Sequence, residues 1–557
     1  MTVNVAAALV EMARQAPDRA AIHVPRPRRG GGERAYDTHT YRTLDTLSDQ
    51  LAHGLQKIGI ARGTRTVLMV KPSLEFFALT FALMKAGIVP VLVDPGLGLR
   101  NLKACLHDAQ PEAFIGIPKA HVARILFGWA KQSLKTKVTV GPRLFWGGHS
   151  LEEVRRLGEQ VPGPALADTG PHELAAILFT SGSTGVPKGV EYQHRHFVGQ
   201  VEMIRALYDI KPGEIDLPTF PLFALFDPAL GMTTVVPDMD ASKPASVDPR
   251  EIFEPIARFG VTNMFGSPAV LDRISRAGVS EGQKLGSLRR VISAGAPVQP
   301  QILERMHKLL PEEAEIHTPY GATEALPVSS VGSRFILRQA RPKTAAGAGI
   351  AVGRPHPSQT VRIIRIDDAP IARWSDSLLV SPGEIGEITV RGPTVTERYY
   401  GRPELTALAK IEHDDGGPPT HRMGDLGYYD AEGVLWFCGR KSQRVIAESQ
   451  LLHTVPIEEI LNTHPDVRRT ALVLAEAPSG KPVPVVCVER APDSHRPFPE
   501  IRAELLGLAD RGPPTKGLVV FLEHPSFPVD VRHNAKIFRE KLGPWASAEL
   551  RKLGPTP

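Results

Sequence analysis

Short apolar runs of strand length alternate along this 557-residue chain with longer apolar runs of helical character, and this alternation limits the possible folds more than any other feature. Residues 66–70 and 90–93 predict buried strands, and residues 74–86 between them predict a buried helix. The same order returns in two further strand and helix pairs, at residues 174–179 with 197–207 and at residues 289–292 with 302–310. Strands that alternate with helices in this way are typical of α/β folds with parallel sheets.

The pattern changes after about residue 381. Three stretches, at residues 383–392, 427–440 and 444–447, predict short strands joined by glycine turns. The end of the chain predicts a helix at 456–462, strands at 471–474 and 483–488, and a terminal helix from Ile537. We therefore predict an α/β (α/β + α+β) fold with two domains. Residues 1–439 form a large domain, in which βαβ-type sheets sandwich helices beside a small β-barrel-like part, and residues 440–557 form a small mobile α+β lid.

Charge and cysteine content exclude several classes of protein. The formal charge is only +6, and the most basic stretch, residues 26–34, is short and rich in glycine, so we expect no nucleic-acid partner. Cys105, Cys438 and Cys487 lie too far apart for a disulfide scaffold or a cysteine zinc site, which favours a reducing compartment. No apolar run approaches the roughly 20 residues of a membrane-spanning helix, and no signal-peptide pattern begins the chain. We expect a cytoplasmic protein with no transmembrane segment.

A run of glycines and hydroxyl side chains follows the predicted strand at residues 174–179. It consists of Thr180, Ser181, Gly182, Ser183, Thr184 and Gly185, with Lys188 three residues later. Glycines allow backbone N–H groups to approach an anion, hydroxyls add donors, and the lysine adds positive charge. The run is not a Walker A loop, because Gly189 follows Lys188 where Ser or Thr is required. It predicts a phosphate-binding loop, and a surface loop without a ligand is the alternative.

Further motifs follow in a fixed order. They are Ser293-Ala-Gly-Ala-Pro297, Tyr320-Gly-Ala-Thr-Glu324, Gly383-Glu-Ile-Gly-Glu387, Met423-Gly-Asp-Leu-Gly-Tyr428 and Gly439-Arg440. Together with the loop at residues 180–188, this set resembles the adenylate-forming superfamily of acyl-CoA synthetases, peptide-synthetase adenylation domains and luciferases over nearly the whole chain. The resemblance implies ATP and Mg²⁺ as cofactors and a carboxylate as substrate.

The resemblance also implies three catalytic residues. Glu324 would hold Mg²⁺ across the phosphates, and Thr323 would donate to the α-phosphate. Near the C-terminus, residues 528–539 resemble the family's last motif, in which Lys536 matches a lysine that bonds the substrate carboxylate and the α-phosphate. A lysine on a separate lid could be delivered for the activation step alone. Solvated surface charges are the alternative interpretation of Glu324 and Lys536.

The nucleotide itself would be held by aromatic, acidic and basic side chains. Tyr320 and Gly321 would lie against the adenine, opposite a wall that comprises Ala294, Gly295, Ala296 and Pro297. Asp425 would accept hydrogen bonds from both ribose hydroxyls, and Arg440 would contact ribose or phosphate. A core tyrosine, a turn aspartate and a surface arginine are the alternatives.

Three positions depart from the usual acyl-CoA synthetase pattern. Ala224 stands where many of these enzymes carry a histidine, and Ser442 stands at a hinge that is usually Asp or Lys. Residues 447–453 contain no glycine, although thioester-forming relatives have a glycine at the matching turn that lets pantetheine pass. The missing glycine weakens the case for a CoA ligase function and does not weaken the case for adenylation.

The variants at residues 320–328, 435–441 and 532–537 resemble the β-lactone synthetase family of bacterial long-chain olefin biosynthesis. That family implies a 2-alkyl-3-hydroxy fatty acid, a small-molecule lipid whose carboxylate is adenylated and whose own 3-hydroxyl then expels AMP to form a β-lactone. Intramolecular attack of this kind reaches effective molarities of roughly 10⁵–10⁸ M. Other olefin-pathway enzymes, such as a thiolase and a reductase, are the implied partners. The alternatives are a long-chain acyl-CoA or acyl-carrier-protein ligase and a non-catalytic adenine-nucleotide binding protein.

Two alkyl chains require a large apolar cavity, whose predicted substrate-contacting residues are Phe223, Ala224, Phe226 and Gly295. Other candidate wall residues lie at 220–225, at Met232 and Val235, and at 265–268. His317 and His453 lie near motif positions, but the sequence does not identify the base for the 3-hydroxyl.

Overall fold

A computed structural model describes residues 3–28, 32–180, 187–447, 450–529 and 537–553. Within them, two large sheets with helices between and around them form the first 440 residues, so the predicted α/β class is confirmed. No helix of the described residues combines the length and the apolar character needed to cross a bilayer.

Among the described residues, the smaller of the two sheets has seven strands and is parallel except for its last pair. In spatial order its strands are His149–Ser150, Thr136–Thr139, Ala113–Gly116, Arg65–Met69, Val89–Leu92, Leu174–Phe179 and Gly189–Gln193. The last two strands are antiparallel neighbours, with Phe179 opposite Gly189. This hairpin holds both ends of the predicted phosphate-binding loop.

The larger sheet has fourteen strands among the described residues and changes character along its width. Its parallel part, apart from the antiparallel edge strand Tyr36–Thr40, contains Ala20–Pro25, Thr233–Val235, Ile215–Pro218, Asn263–Phe265, Arg290–Ile292 and Glu315–Ala322. Its antiparallel part continues through Ala325–Gly332, Ile350–Pro355, Leu435–Arg440, Thr420–Tyr429, Gly386–Arg391 and Thr360–Ile364, with Lys410–Ile411 beside Thr420–Tyr429. Two of the short strands predicted beyond residue 381, at residues 383–392 and 427–440, lie in this antiparallel part, whereas the one predicted at 444–447 lies in a separate hairpin.

Helices Tyr41–Lys57 and Leu74–Lys85 lie between the two sheets. Their apolar side chains share one core with Leu68 and Ile115 of the smaller sheet and with Ile22 of the larger one. Both helices begin where hydroxyl side chains accept hydrogen bonds from backbone N–H groups of the first turn, from Thr43 N to Thr40 Oγ1 and from Phe76 N to Ser73 Oγ. Up to residue 440, the remaining α-helices of the described residues are Ala7–Gln15, Leu99–Ala109, Pro118–Phe127, Leu151–Glu159, His194–Tyr208, Asp227–Leu230, Arg250–Phe259, Pro268–Glu281, Pro300–His307, Ser333–Phe335, Arg341–Ala345 and Pro403–Ala409.

The last part of the chain packs around its own core. A three-stranded sheet of Val467–Glu476, Pro482–Arg490 and Phe521–Glu523 lies against helices Thr454–Leu461, Phe498–Arg511 and Arg539–Leu553, next to a hairpin of Val445–Ala447 and Gln450–Leu452. The terminal helix begins at Arg539, two residues later than predicted. The last strand of the larger sheet ends at Arg440, and the division into domains 1–439 and 440–557 stays a prediction.

Candidate active site

A cavity of about 2030 Å³ opens at the carboxyl ends of parallel strands from both sheets. In open α/β sheets this edge is where ligands bind, because loops there can diverge and leave a crevice. Tyr320, Glu324 and Arg440 line its polar end, whereas Phe223 and Leu230 belong to an apolar end. One continuous cavity therefore offers both a polar and an apolar compartment.

Thr180 and Lys188 pair at the base of the predicted phosphate-binding loop. The Thr180 backbone N–H donates to the Lys188 carbonyl at 3.0 Å, and the Lys188 N–H donates to Thr180 Oγ1 at 3.3 Å. The Lys188 ammonium lies 4.9 Å from the centre of the Tyr399 ring, a cation–π contact that keeps the charge at the cavity wall. Five predicted members of the loop lie outside the described residues: Ser181, Gly182, Ser183, Thr184 and Gly185.

Tyr320, Asp425 and Arg440 form the polar group predicted for the ribose. The Tyr320 hydroxyl donates to Asp425 Oδ2 at 2.7 Å, and Arg440 Nη1 lies 2.9 Å from Asp425 Oδ1. The neighbouring strands Thr420–Tyr429 and Leu435–Arg440 place Asp425 directly opposite Arg440. Burial raises the pKa of the Asp425 carboxyl, and the Arg440 charge and the Tyr320 hydroxyl partly offset that rise.

Asp425 Oδ1 is buried, and no described residue donates a well-aligned hydrogen bond to it. The 2.9 Å contact with Arg440 is thus an ion pair without hydrogen-bond alignment. A buried acceptor of this kind is costly unless a ligand supplies a donor. A ribose hydroxyl would be such a donor.

The predicted adenine wall is narrower than the sequence indicated. The strand Arg290–Ile292 ends in a turn in which Gly295 has a φ of +96°, a conformation that favours glycine. Ala294 and Gly295 line the cavity together with Tyr320 and Gly321, whereas Ala296 and Pro297 are not among its lining residues. The turn carries those two side chains away from the cavity.

Hydrogen bonds from residues of other parts of the chain hold Thr323 and Glu324 in place. Glu324 Oε1 accepts a hydrogen bond from the Tyr399 hydroxyl at 2.6 Å, and its carbonyl accepts one from the Thr396 N–H at 2.9 Å. The Thr323 carbonyl accepts from the Tyr192 hydroxyl at 2.5 Å. Glu324 also lines the cavity, and no described residue donates a hydrogen bond to its second carboxylate oxygen.

The donor set at this position fits a magnesium ion shared with phosphate. Among the described residues, no three histidine, cysteine or acidic side chains cluster as a metal site of their own. Mg²⁺ usually takes one or two carboxylates, waters and the phosphates of its nucleotide. A single carboxylate, Glu324, matches that requirement.

Lys410 lies behind Glu324 and was not identified from the sequence. Its ammonium is buried and donates to the Thr396 carbonyl, while Thr396 in turn holds the Glu324 backbone. Burial lowers the pKa of Lys410 to about 7. Tyr192 lies 131 positions along the chain from Thr323, and Tyr399 lies 75 positions from Glu324. Lys410 supports the Glu324 backbone through Thr396. No local sequence pattern therefore pointed to these three residues.

Aromatic rings form the apolar end of the cavity. The rings of Phe223 and Phe265 stack with centroids 3.9 Å apart, and Phe226 lies 6.4 Å from Phe197. Phe223, Phe226 and Gly295 line the cavity, as do other predicted wall residues: Phe220, Pro221, Leu222, Leu225, Met232, Phe265 and Ser267.

Ala224 and Val235 are corrections to the predicted wall. Both side chains are fully buried in cores on either side of the larger sheet and do not line the cavity. Within the short 3₁₀ turn Phe223–Phe226, the side chain of Ala224 packs in the core while those of the other three residues line the cavity, which the linear sequence did not reveal.

His317, His453 and Lys536 do not contribute a described side chain to the cavity. Burial lowers the pKa of both imidazoles, and neither histidine is among the cavity-lining residues of the described chain. Lys536 lies outside the described residues, next to Ile537, whose side chain packs in the C-terminal core. A β-bridge between Val529 and Ile537 joins the two sides of the predicted lysine motif.

Comparisons with known proteins show the family of the chain. A family model described as AMP-binding enzyme matches residues 9–400. The chain is 53% identical to an olefin beta-lactone synthetase of Stenotrophomonas maltophilia, over 99% of both chains, and 52% identical to one of Xanthomonas campestris, over 98% of both.

Solved structures share the fold at lower identity. The amide bond synthetase McbA from Marinactinospora thermotolerans has a TM-score of 0.76 at 23% identity, covering 97% of this chain and 99% of that one. ATP-bound MatB from Rhodopseudomonas palustris has a TM-score of 0.76 at 20% identity, covering 99% of this chain and 100% of that one. The match to the family model and the 52–53% identity to the two relatives show that the chain belongs to the AMP-binding enzyme family and, within it, to the olefin beta-lactone synthetases.

Proposed function

We propose that this protein uses ATP to adenylate the carboxylate of a 2-alkyl-3-hydroxy long-chain fatty acid and then closes the acyl-adenylate to a β-lactone. The 3-hydroxyl oxygen bonds to the acyl carbon, the bond from that carbon to AMP breaks, and AMP leaves; pyrophosphate has left in the first step. The observation that carries the proposal is the single cavity in which a nucleotide-type polar end is continuous with a large aromatic and aliphatic end.

The polar end supports the first step. Asp425 and Tyr320 would bind and orient the nucleoside, and Lys188 and Arg440 would supply positive charge where a phosphate and a carboxylate must approach each other. Mg²⁺, when bound by Glu324 and the phosphates, would neutralise phosphate charge. Lys536 is proposed to add a further cation at the reacting carboxylate, in agreement with its match to the family's catalytic lysine.

The second step needs no external nucleophile. Residues 447–453 lack the glycine that opens a thiol passage in thioester-forming relatives, and the strand pair of Val445–Ala447 and Gln450–Leu452 is antiparallel, with Ala447 opposite Gln450. A nucleophile within the substrate suits a site without that passage. It also gains from proximity, because the hydroxyl and the acyl carbon belong to one molecule.

We further propose a cytoplasmic location, which agrees with three buried free cysteines, and a place beside other enzymes of olefin biosynthesis. The substrate class alone supports these partners, since a dialkyl hydroxy acid must be made by a condensing enzyme and a ketone reductase before it reaches this site.

One assay tests the proposal. Purified protein receives ATP, Mg²⁺ and a 2-alkyl-3-hydroxy acid without CoA, and lactone, AMP and pyrophosphate are quantified. We expect one lactone for each ATP consumed. Turnover that starts only when CoA is added would reject lactone formation in favour of an acyl-CoA ligase.

A paired substitution tests the proposed lysine. Lys536→Ala should reduce pyrophosphate–ATP exchange at least ~100-fold, in the range of a lost catalytic group. Lys541→Ala, five residues along the chain and solvent-exposed, is the matched control and should leave exchange within about 2-fold. Full exchange in Lys536→Ala would remove that lysine from the mechanism.

A further inference from the structure

Two buried aspartates lie in the wall of the cavity, away from the nucleotide residues. Asp216 is in the central strand Ile215–Pro218 and is 7% exposed, and Asp227 begins the short helix Asp227–Leu230 and is 3% exposed. Both line the cavity. Thr234 connects them, because it is the register partner of Asp216 in the neighbouring strand and donates a hydrogen bond from Oγ1 to Asp227 Oδ2 at 2.5 Å.

No basic side chain forms an ion pair with either carboxyl among the described residues. The charged groups that face the pair along the strands are Glu214 and Arg290, which form an ion pair with each other next to Asp216 and shift the pKa of Asp216 in opposite directions. The Tyr41 phenol approaches Asp227 from the helix between the sheets, but its hydroxyl donates to a backbone carbonyl. Among the described residues, the pair therefore lacks a cation in direct contact with either carboxyl.

Asp216 is the less satisfied of the two carboxyls. Only the backbone N–H of Leu217 stabilises its charge through a hydrogen bond, and no described side chain donates to it. Burial raises the pKa of Asp216 well above its usual range, and the charge of Asp227 adds to that effect. Burial likewise raises the pKa of Asp227 to about 7, against the opposing hydrogen bond from Thr234. Two adjacent carboxyls without a cation retain a proton between them, as in an aspartic dyad.

The surroundings of the pair are apolar. Tyr208, Ile210, Leu230 and Met232 form one buried cluster with Phe226, the residue that precedes Asp227. The Tyr208 hydroxyl donates to Ser330 Oγ at 3.3 Å and is thus already engaged. Burying two acids in such a wall is unfavourable, because each carboxyl loses its hydration without gaining a cation. Such a cost is characteristic of groups retained for chemistry on a ligand.

We propose that the Asp216–Asp227 carboxyl pair binds the 3-hydroxyl of the acyl substrate and that Asp227 accepts its proton when the lactone ring closes. The inference rests on the proposed function. It deepens that function by naming the base that the sequence motifs leave unassigned.

The step is balanced without a further reactant. The substrate hydroxyl donates its hydrogen bond to the Asp227 carboxylate, while the protonated Asp216 can donate to the same hydroxyl oxygen and fix its orientation. The oxygen–carbon bond forms as the proton passes to Asp227, the carbon–oxygen bond to the AMP phosphate breaks, and AMP leaves with that electron pair. Asp227 then releases the proton to solvent.

The experiment separates the two half-reactions with two substrates. Wild type, Asp227→Asn and Asp216→Asn are supplied with a 2-alkyl-3-hydroxy acid and with its 3-deoxy analogue, which can be adenylated but cannot form a lactone. Pyrophosphate–ATP exchange reports adenylation, and lactone released per acyl-adenylate in a single turnover reports closure. Asp227→Asn should slow closure by ~10²–10⁴-fold, the usual contribution of a general base, and leave exchange with the deoxy acid within about 3-fold.

The pH profile provides a readout that a structural role would not change. In wild type, closure should rise with pH through about 7, as Asp227 ionises, and this dependence should disappear in Asp227→Asn. Thr234→Val retains both acids and removes a hydrogen bond that lowers the pKa of Asp227, so its profile should move to higher pH. This variant keeps the test decisive even when Asp227→Asn is unstable.

Glu251→Gln serves as the matched control, because Glu251 is a buried carboxylate that does not line the cavity and does not act on either aspartate. It should leave the ratio of closure to adenylation unchanged. Equal losses with both acids in Asp227→Asn, or unchanged closure and pH profile, would overturn the assignment of the base. Absence of lactone from wild type would instead refute the proposed function, so the two failures are distinguishable.

Discussion

Lys410 allows the electrostatics beneath the nucleotide end to be tested quantitatively. The side chain is 4% exposed, and burial lowers its pKa to about 7 although Glu324, Glu397 and Glu412 act in the opposite direction. The folded state therefore favours neutral Lys410, whereas the unfolded chain keeps it protonated up to about pH 10.5. Between these two values the unfolded state binds the additional proton, so the stability of the wild type rises with pH.

Lys410→Met removes this titration and provides the test. At ~1.36 kcal/mol per pKa unit, the depressed pKa costs the wild type ~5 kcal/mol at about pH 6 and ~2 kcal/mol at about pH 9. The variant should thus lose ~3 kcal/mol of its stability relative to wild type over that interval. The loss of the hydrogen bond to Thr396 adds only a constant offset, because that bond does not titrate.

Thermal unfolding of both proteins from about pH 6 to pH 9 measures the effect as the change in the difference of their Tm values. Lys85→Met is the control, since Lys85 is fully buried but contacts Asp45 and Asp49 at 2.5 and 2.7 Å. Breaking that network should destabilise the protein, because two carboxylates lose their cation. A Tm difference between Lys410→Met and wild type that stays constant across this range would refute the reasoning.

Three further substitutions probe the cavity and its frame. Tyr320→Phe removes a charge-assisted hydrogen bond worth ~1.5–3 kcal/mol and should weaken ATP binding about 10- to 100-fold, as measured by calorimetry. The control Tyr429→Phe loses only a 3.5 Å contact and should keep its ATP affinity. Equal ATP affinities of the two variants would contradict the assignment of Tyr320 to the ribose site. Ile204→Trp fills part of the apolar end of the cavity and should lower kcat/KM for long-chain acids at least ~10-fold, while the Kd for ATP stays unchanged. An equal loss of kcat/KM for short-chain acids would argue against a wall that binds the alkyl chains. Gly439→Ala places a Cβ 2.5 Å from the Thr454 hydroxyl at a φ of +124° and should lower the free energy of unfolding by ~2 kcal/mol or more. Its loss of Tm should exceed that of Gly433→Ala, whose Cβ meets nothing within 4 Å. Similar losses of Tm in the two variants would show that the close approach to Thr454 is unimportant.

Element type could be predicted where the apolar pattern is strong. The strand predicted at residues 66–70 is Arg65–Met69, and the helix predicted at 74–86 is Leu74–Lys85. The observed bounds of an element differ from the predicted ones where local residue preferences compete with the apolar pattern. The helix predicted at 302–310 begins at Pro300, because proline suits the first helical turn, and it ends at His307.

The site residues divide according to how their chemistry is encoded. Tyr320, Glu324 and Asp425 lie in short motifs whose residue types already indicate nucleotide binding, and they are neighbours in the folded chain. Ala224 was misplaced, because membership of a motif does not determine which way a side chain of a tight turn points. Asp227 carried a local signal, an acid within the apolar run 222–230, although nothing in that run indicates its partner.

The amino-acid sequence by itself determined the succession of strands and helices and the motif residues of the nucleotide end, because periodicity and short motifs are properties of neighbouring residues. Only the tertiary structure decided that Tyr399 holds Glu324, that Lys410 lies behind it and that Asp216 meets Asp227 in an apolar wall. These contacts join residues that are distant along the chain or shift pKa values through burial. Sheet register and exclusion of water create both effects, and neither exists before the chain has folded.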